Sequence, residues 1–587
     1  MYLGSIQTLF RIFDTYGHRL GPRSWSSCLK IVVFKMMQTR EAEDIDQSTA
    51  EHKLWDDTIN LVLGGIGTLY SNYFDMFSQQ TDFQHSWAVF VRYLEGLLAR
   101  RSYEVNTTVF KVLRSVLERV DNPHKLDTES KNETWRMWSS QGINLVEGLP
   151  EGSRSGVQDT LTAFVEVFKP LYKILEPTID GPVIQRTLEI LHDCVIYPDS
   201  PAYFQDIDIL TPLQAAILDA MRIIRTDISG VPALMLKTLS SFSTIAYSVD
   251  KFSTPKNPKQ NIPSYIALAV FSMKQMEHVS LSHIGQPGVY TDGALEQVIK
   301  SLKIPISLKY DFHPPKIGKK PLYLWRNATQ TALAILHQAL PAMEHLSIED
   351  CYQGEIWEQV AALVSSVVHV TPEKQQLIAN SDDDESFDID AFVKFRGLII
   401  PALGKTVVPE EAIVKYVLNI YRASLLYEVD PGLAEKPTEV DKIGARLVKV
   451  GNTNELELRR RRRMSYVCID ELMNLFSIKE GGEFKPREIL EFLILTITVS
   501  PEVTRLANVA SSYLILRVAL ILSIYISVLS LSLALLQDTL LDQLIHFIYS
   551  RTSHLEGVCH SLQSSAKSCS TSYSFLLLLT SAPVRSL

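Results

Sequence analysis

The sequence is short of the residues that build reactive sites. Its 587 residues include six cysteines, Cys28, Cys194, Cys351, Cys468, Cys559 and Cys569. No two are spaced C-x-x-C, which excludes a cysteine zinc pattern and a disulfide framework and points to a reducing, cytosolic compartment. The glycosylation-type sequences at Asn106, Asn132 and Asn327 then carry no weight. Surplus positive charge is also missing. A net charge of −9 and a pI near 5.9 argue against nucleic acid as the main ligand. No basic-then-apolar leader opens the chain, because Arg11 and Asp14 fall inside the first amphipathic pattern. Nor does the sequence supply a spaced cluster of His, Asp, Glu, Ser or Cys that could converge in a pocket. No catalytic residue, cofactor or metal is expected, and the chain is read as non-enzymatic.

What is present is helical periodicity. Between Val157 and Ser248, Leu161, Phe164, Val165, Phe168, Leu171, Tyr172 and Leu175 recur at spacings of three and four, which sets them on one helix face. Ile184, Leu188, Leu191 and Val195 repeat the pattern, as do Leu213, Ile217, Met221 and Ile224. Pro182, Pro212 and Pro232 stand at or near helix starts, where a missing N–H costs nothing, and Asp180 and Thr211 are placed to cap. Tandem helices with short breaks bury their stripes against one another. These pair into units of roughly forty to fifty residues, the range of HEAT and armadillo repeats. The expected fold is all-α, a HEAT/armadillo-like α-solenoid of stacked helix pairs.

A chain of this length exceeds one compact core, and its texture divides it. Residues 1–250 read as helical repeats, without the polar capping repeat that usually opens a solenoid, so the chain is expected to begin within an array. Helices are predicted at 83–100, 105–120 and 134–149. Residues 251–323 read as a linker and a segment crossing the surface, with one helix from Ser264 to Met276. The stretch from Ile304 to Pro321 is too proline-rich for helix and is predicted to be extended. Residues 324–516 resume the repeats. Residues 517–587 form a Leu/Ser-rich tail unlike anything upstream, the mark of a fragmentary or mispredicted gene product.

Several features imitate chemistry. Gly64-Gly65-Ile66-Gly67 has the composition of a phosphate loop but lies inside a helical pattern, where small residues let helices approach closely. The run Asp382 to Glu385 lacks the alternating ligands of a calcium loop and is predicted to be a solvated loop. His192-Asp193-Cys194 offers a base and a nucleophile that splay around a helix. The strongest charge cluster is Arg459, Arg460, Arg461, Arg462 and Arg463. Such a run can meet anionic lipid, an acidic patch on a partner or nucleic acid, or it can simply be the solvated end of a linker. The uncharged stretch Val518 to Leu536 has the length to span a bilayer, though Ser523, Ser527, Ser530 and Ser532 interrupt it. A Leu-rich core helix and an unnatural continuation are the competing readings.

Some stretches resemble the Mon-two family of endosomal and Golgi peripheral membrane proteins, in its C-terminal half. They are the segment from Asp14 to Phe34, Phe168-Lys-Pro-Leu-Tyr, Ser200 to Asp206 with Leu210-Thr-Pro-Leu-Gln, Leu302 to Tyr310, and Arg461 to Leu472. The resemblance covers most of the chain to about Leu516. It implies a large helical scaffold related to the Arf guanine-nucleotide exchange factors but without the exchange domain, acting in traffic between endosomes, the trans-Golgi and the vacuole. Its implied partners are a Dopey-type protein, an aminophospholipid flippase and an Arf-like small GTPase. Regulation of an Arf-like GTPase, or membrane insertion through residues 518–536, are the alternatives. The family's N-terminal domains are not seen in the sequence, and the tail after Ala519 departs from it.

Because serines break its apolar surface, Val518 to Leu536 is expected not to span a bilayer. Alkaline carbonate should release from membranes both the full chain and a version ending at Leu516. Retention of the full chain alone in the pellet would show insertion.

Overall fold

Amphipathic stripes at helical spacing become helices wherever a cap and a neighbour are available. A computed structural model describes residues 2–33, 49–99, 102–145, 157–196, 206–247, 264–311, 316–317, 320–346, 348–370, 381–403, 408–424 and 461–477. The chain divides into two units, Met1–Asn474 and Leu475–Leu587. All that follows concerns the first unit and the end of its last helix.

The helices are α1 Tyr2–Tyr16, α2 Pro22–Ser27, α3 Thr49–Ser78, α4 Phe83–Leu98, α5 Tyr103–Leu117, α6 Thr128–Ser139, α7 Val157–Leu175, α8 Gly181–Val195 and α9 Pro212–Arg222. They continue with α10 Val231–Thr244, α11 Ile266–His283, α12 Ala294–Ser307, α13 Leu324–His345, α14 Asp350–Val368, α15 Ser381–Leu403, α16 Glu410–Ser424 and α17 Arg462–Ser477. Among the described residues the strands are the two-residue pair Lys316–Ile317 and Lys320–Pro321. Each helix packs on its second neighbour: α3 on α5, α5 on α7 and α7 on α9, then α11 on α13 and α13 on α15. The even helices do the same without a break from α4 to α16. Consecutive helices bridge the two rows, which makes the unit an all-α, HEAT-like solenoid.

Local chemistry sets the helix starts. Asp180 accepts from Val183 N at 3.1 Å ahead of Pro182. Thr211 and Gln214 form a reciprocal capping box ahead of α9, with bonds of 3.2 and 3.1 Å. Helix α6 begins at Thr128, earlier than the pattern predicts, because Asp127 accepts from Ser130 N at 2.8 Å. It ends at Ser139, and the chain then turns at Gly142, which holds φ +80. Between the rows, Asp206 works as a clasp. Its carboxylate accepts from Ser264 N at 2.7 Å, Tyr265 N at 2.8 Å and Gln214 Nε2 at 2.9 Å, which ties the approach to α9 to the start of α11. Tyr265 sits there at φ +57, a left-handed conformation that a bulky residue adopts only when its surroundings impose it.

One expectation fails in its first part. The stretch from Ile304 to Ser307 is helical, because α12 runs through Pro305, whereas Lys316–Ile317 and Lys320–Pro321 are extended as expected. An interior proline costs about 3 kcal/mol, whereas burying Leu302 and Ile306 contributes roughly 1.5–3 kcal/mol each, so packing prevails. Helices α11 and α12 accordingly belong to the array, against the linker reading of residues 251–323.

Aromatic clusters pack within a mainly aliphatic core. Trp138 stacks on Phe164 with centroids 4.8 Å apart, lies 5.4 Å from Phe168, and donates its indole N–H to Phe164 O at 3.0 Å. Of the three glycines inside α3, Gly65 and Gly67 have the packing role expected of them, while Gly64 faces open space. A Cβ on Gly65 would fall 2.5 Å from the Phe10 ring, and one on Gly67 would meet Val112 at 3.3 Å. Phe168 is fully buried on α7 between Trp138 and Tyr172. Phe168→Ala should therefore lower unfolding free energy by about 3–5 kcal/mol in chemical denaturation. An unchanged transition would place Phe168 on a free face.

Candidate functional site

Four helix ends meet at one point of the unit, and each brings charge. Lys309 and Tyr310 follow α12, and Tyr323, Trp325 and Arg326 open α13. Asp383, Asp384, Glu385 and Asp388 occupy the first two turns of α15, and Arg461 and Arg463 stand at the start of α17. At the centre is the Asp388 carboxylate, with no exposed side-chain surface. Lys309 Nζ donates to it at 2.6 Å, and Arg461 Nη2 donates to the same oxygen. Both cations also reach Val367 O, at 3.3 and 3.5 Å.

Around this pair the remaining charges are matched. Arg326 donates to Asp383 at 2.7 Å and Asp384 at 2.6 Å, while its guanidinium lies 4.6 Å over Tyr323, 5.2 Å over Trp325 and 5.1 Å over Phe387. Glu385 accepts from Met464 N at 2.9 Å. A carboxylate of α15 thus caps the N-terminus of α17, where unbonded N–H groups and the helix dipole favour negative charge. Further along, Arg396 pairs with Glu471 at 2.9 Å, and Ser465 Oγ donates to Ala423 O at 3.0 Å.

Two cations on one buried carboxylate leave a surplus positive charge out of water. Burial lowers the Lys309 pKa from 10.5 to about 8; Asp388 pulls it upward and Arg461 pushes it further down. Tyr310 is pushed up, chiefly by burial. A buried ion pair contributes little net stability, but removing one member strands the other, at about 3–5 kcal/mol. What the cluster supplies is position: α17 has one place to dock.

The arginine run is therefore not a single exposed patch. Arg461 is 4% exposed and belongs to the interior, a correction to its reading as a docking residue. Arg462 and Arg463 are exposed, with Arg463 donating to Ser386 at 2.8 Å, and Arg459 and Arg460 lie outside the described residues. Nor is the acidic run a solvated loop. It opens α15, and Asp384 and Glu385 are buried at 9% and 3% exposure. Thus one member of the arginine run, Arg461, has its acidic partner, Asp388, within the same chain.

The His192 region has a different character. His192 Nε2 lies 2.9 Å from Ser241 Oγ, and Asp193 Oδ1 is 3.6 Å from Nδ1, beyond a hydrogen bond. The trio lines an open groove of about 490 Å³ between α8 and α10. Ser241 sits within α10, where backbone N–H groups are spent in the helix ladder and cannot stabilise an oxyanion. Cys194 is buried, and burial pushes its thiol up to about 12, so it stays protonated. Among the described residues no helix is long and apolar enough to cross a membrane, and no group of His, Cys, Asp and Glu is placed to hold a metal. Val518 to Leu536 lies outside those residues.

No family model matches the chain. Among curated proteins, "Protein MON2" of Saccharomyces cerevisiae is 21% identical over 492 residues, covering 80% of this chain and 29% of the relative. The "Protein MON2 homolog" of Schizosaccharomyces pombe is 20% identical with the same coverages, and that of Xenopus laevis is 21% identical, over 80% of this chain and 32% of the relative. The chain is similar to the MON2 proteins. It spans about three-tenths of their length. A chain from a structure of the Pds5-Scc1 complex aligns over 77% of this chain and 65% of that one, at 12% identity and a TM-score of 0.27.

The residues that sequence reasoning missed in this chain are Lys309, Asp388 and Arg326. A signal for them existed. The acidic run and the arginine run are opposite in sign, and Asp388 lies 73 positions before Arg461. The buried lysine makes stability depend on pH. Its folded pKa is depressed, so between about pH 8 and 10.5 the unfolded chain holds more protons and the charge-burial penalty fades as pH rises. Stability of the wild type relative to Lys309→Met should climb across that window, by a few kcal/mol at most. A flat difference in denaturation midpoints would show Lys309 to be hydrated.

Proposed function

We propose that the chain is a non-enzymatic scaffold segment in vesicle-mediated protein transport between endosomes, the trans-Golgi and the vacuole. The observation that carries this reading is the match to MON2 proteins over 80% of its length. The physics is consistent with it. Among the described residues, stacked helix rows offer exposed faces and no pocket of converging catalytic groups, which suits partner assembly. In this reading the chain lies on the cytosolic face of endosomal and trans-Golgi membranes as a peripheral protein. Its partners are a Dopey-type protein, an aminophospholipid flippase and an Arf-like small GTPase. Arg462 and Arg463, exposed at the start of α17, together with Arg459 and Arg460, which lie outside the described residues, are the part of the arginine run available to an acidic partner surface or anionic lipid.

Because the chain covers about three-tenths of its relatives, the test is a chimera. In Saccharomyces cerevisiae, the matching segment of MON2 is replaced by this chain, and sorting of a vacuolar hydrolase is measured. The chimera should reduce mis-secretion well below that of a strain lacking the segment, and a fluorescent fusion should overlap trans-Golgi and endosomal markers. Mis-secretion equal to that of the deletion, with diffuse fluorescence, would refute the proposal.

A further inference from the structure

The start of α17 holds a second pattern that its docking does not use. Arg462 and Arg463 are exposed and stand three and two positions before Ser465. Two cationic side chains at that spacing ahead of a serine fit the acidic substrate clefts of arginine-directed protein kinases. Ser465 itself is 1% exposed, with its hydroxyl donating to Ala423 O at 3.0 Å and Arg461 O at 3.3 Å. The recognition elements face solvent while the acceptor is inside.

We propose that Ser465 is a phosphorylation site that becomes available only when α17 leaves α15, and that a phosphate there holds α17 away. The co-reactant is ATP, acted on by an arginine-directed serine/threonine kinase. The Ser465 oxygen bonds to the γ-phosphorus as the bond from that phosphorus to the bridging oxygen breaks. ADP leaves, and the hydroxyl proton passes to a carboxylate of the kinase.

Three observations make the site gated. Arg461 is anchored to Asp388, the N–H of Met464 to Glu385, and Glu471 to Arg396, so a kinase must first displace the helix that bears its substrate. The Ser465 oxygen faces Ala423 O in the last turn of α16, the negative end of that helix. A phosphate adds a charge of about −1.5 to −2, which the buried position and that dipole both oppose. Finally, Arg461 lies four positions earlier, within reach of a phosphate on Ser465 once the helix is free. Phosphorylation would thus also compete with Asp388 for its guanidinium.

The full chain is incubated with MgATP and the catalytic subunit of cyclic-AMP-dependent protein kinase, and occupancy of Ser465 is followed by mass spectrometry. Arg461→Gln loosens α17 while keeping Arg462, Arg463 and the Lys309–Asp388 pair. It should accept phosphate at Ser465 at least about tenfold faster than wild type, as expected where modification tracks local opening. Adding Arg462→Gln and Arg463→Gln should remove most of that rate. Hydrogen exchange in α17 should speed up in the phosphorylated chain and in Ser465→Asp, but not in Ser465→Ala, with α13 protected throughout. Equal rates in wild type and Arg461→Gln would overturn the gate. Absence of phosphate on Ser465 in Arg461→Gln would overturn the site, and unchanged α17 protection in Ser465→Asp would overturn the consequence.

Discussion

Every helix of the array must cover apolar surface on more than one side. The stripes of α5, α7, α10, α12 and α14 are too wide for a single partner, and each is closed by the second neighbour on either side as well as by the adjacent helix of the other row. This constraint makes the unit a stack. It accounts for the buried tryptophans whose indole N–H groups find acceptors on neighbouring helices, Trp87 on Thr134 and Trp138 on Phe164. It also explains why prolines inside α7, α12, α13 and α15 are tolerated. The loss of one helical hydrogen bond is small beside the apolar burial on those helices.

Where the stack reaches α17, charge is added to apolar contact, since Met464 and Cys468 are buried on the helix that Arg461 anchors. Helix α17 follows α16 only after residues 425–460, and its register is set by Asp388, Glu385 and Arg396 on α15. Desolvation of Lys309 and Arg461 consumes most of what their attraction to Asp388 contributes, so the cluster selects position more than it adds stability. A helix whose docking depends on a buried ion pair is loosened when that pair loses a partner. The same feature that makes the last helix specific makes it the place where regulation could act.

Much of the architecture is legible in the chain. Leu161 through Leu175 on α7, and the starts at Pro182, Pro212 and Pro232, are where periodicity and capping chemistry put them, because helical period and caps are local properties. The similarity to MON2 proteins was legible too, and the stretches that suggested it, such as Phe168-Lys-Pro-Leu-Tyr and Leu302 to Tyr310, lie on packed helices or at their ends. Pro305 misled, since a local rule predicted an extended strand where burial of Leu302 and Ile306 carries the helix onward.

The sequence by itself determined the helices, their apolar faces and the presence of two charge runs of opposite sign. Only the tertiary structure decided that Arg461 of the one is buried on Asp388, just beyond the other. Asp388 and Arg461 are 73 positions apart, and their pairing depends on α12, α13 and α15 bringing helix ends to one point. Burial then turns each charge from a solvated group into one that requires a partner. A run of arginines has the same appearance in a linker, on a membrane or in a core, and the solvent left around each side chain distinguishes them.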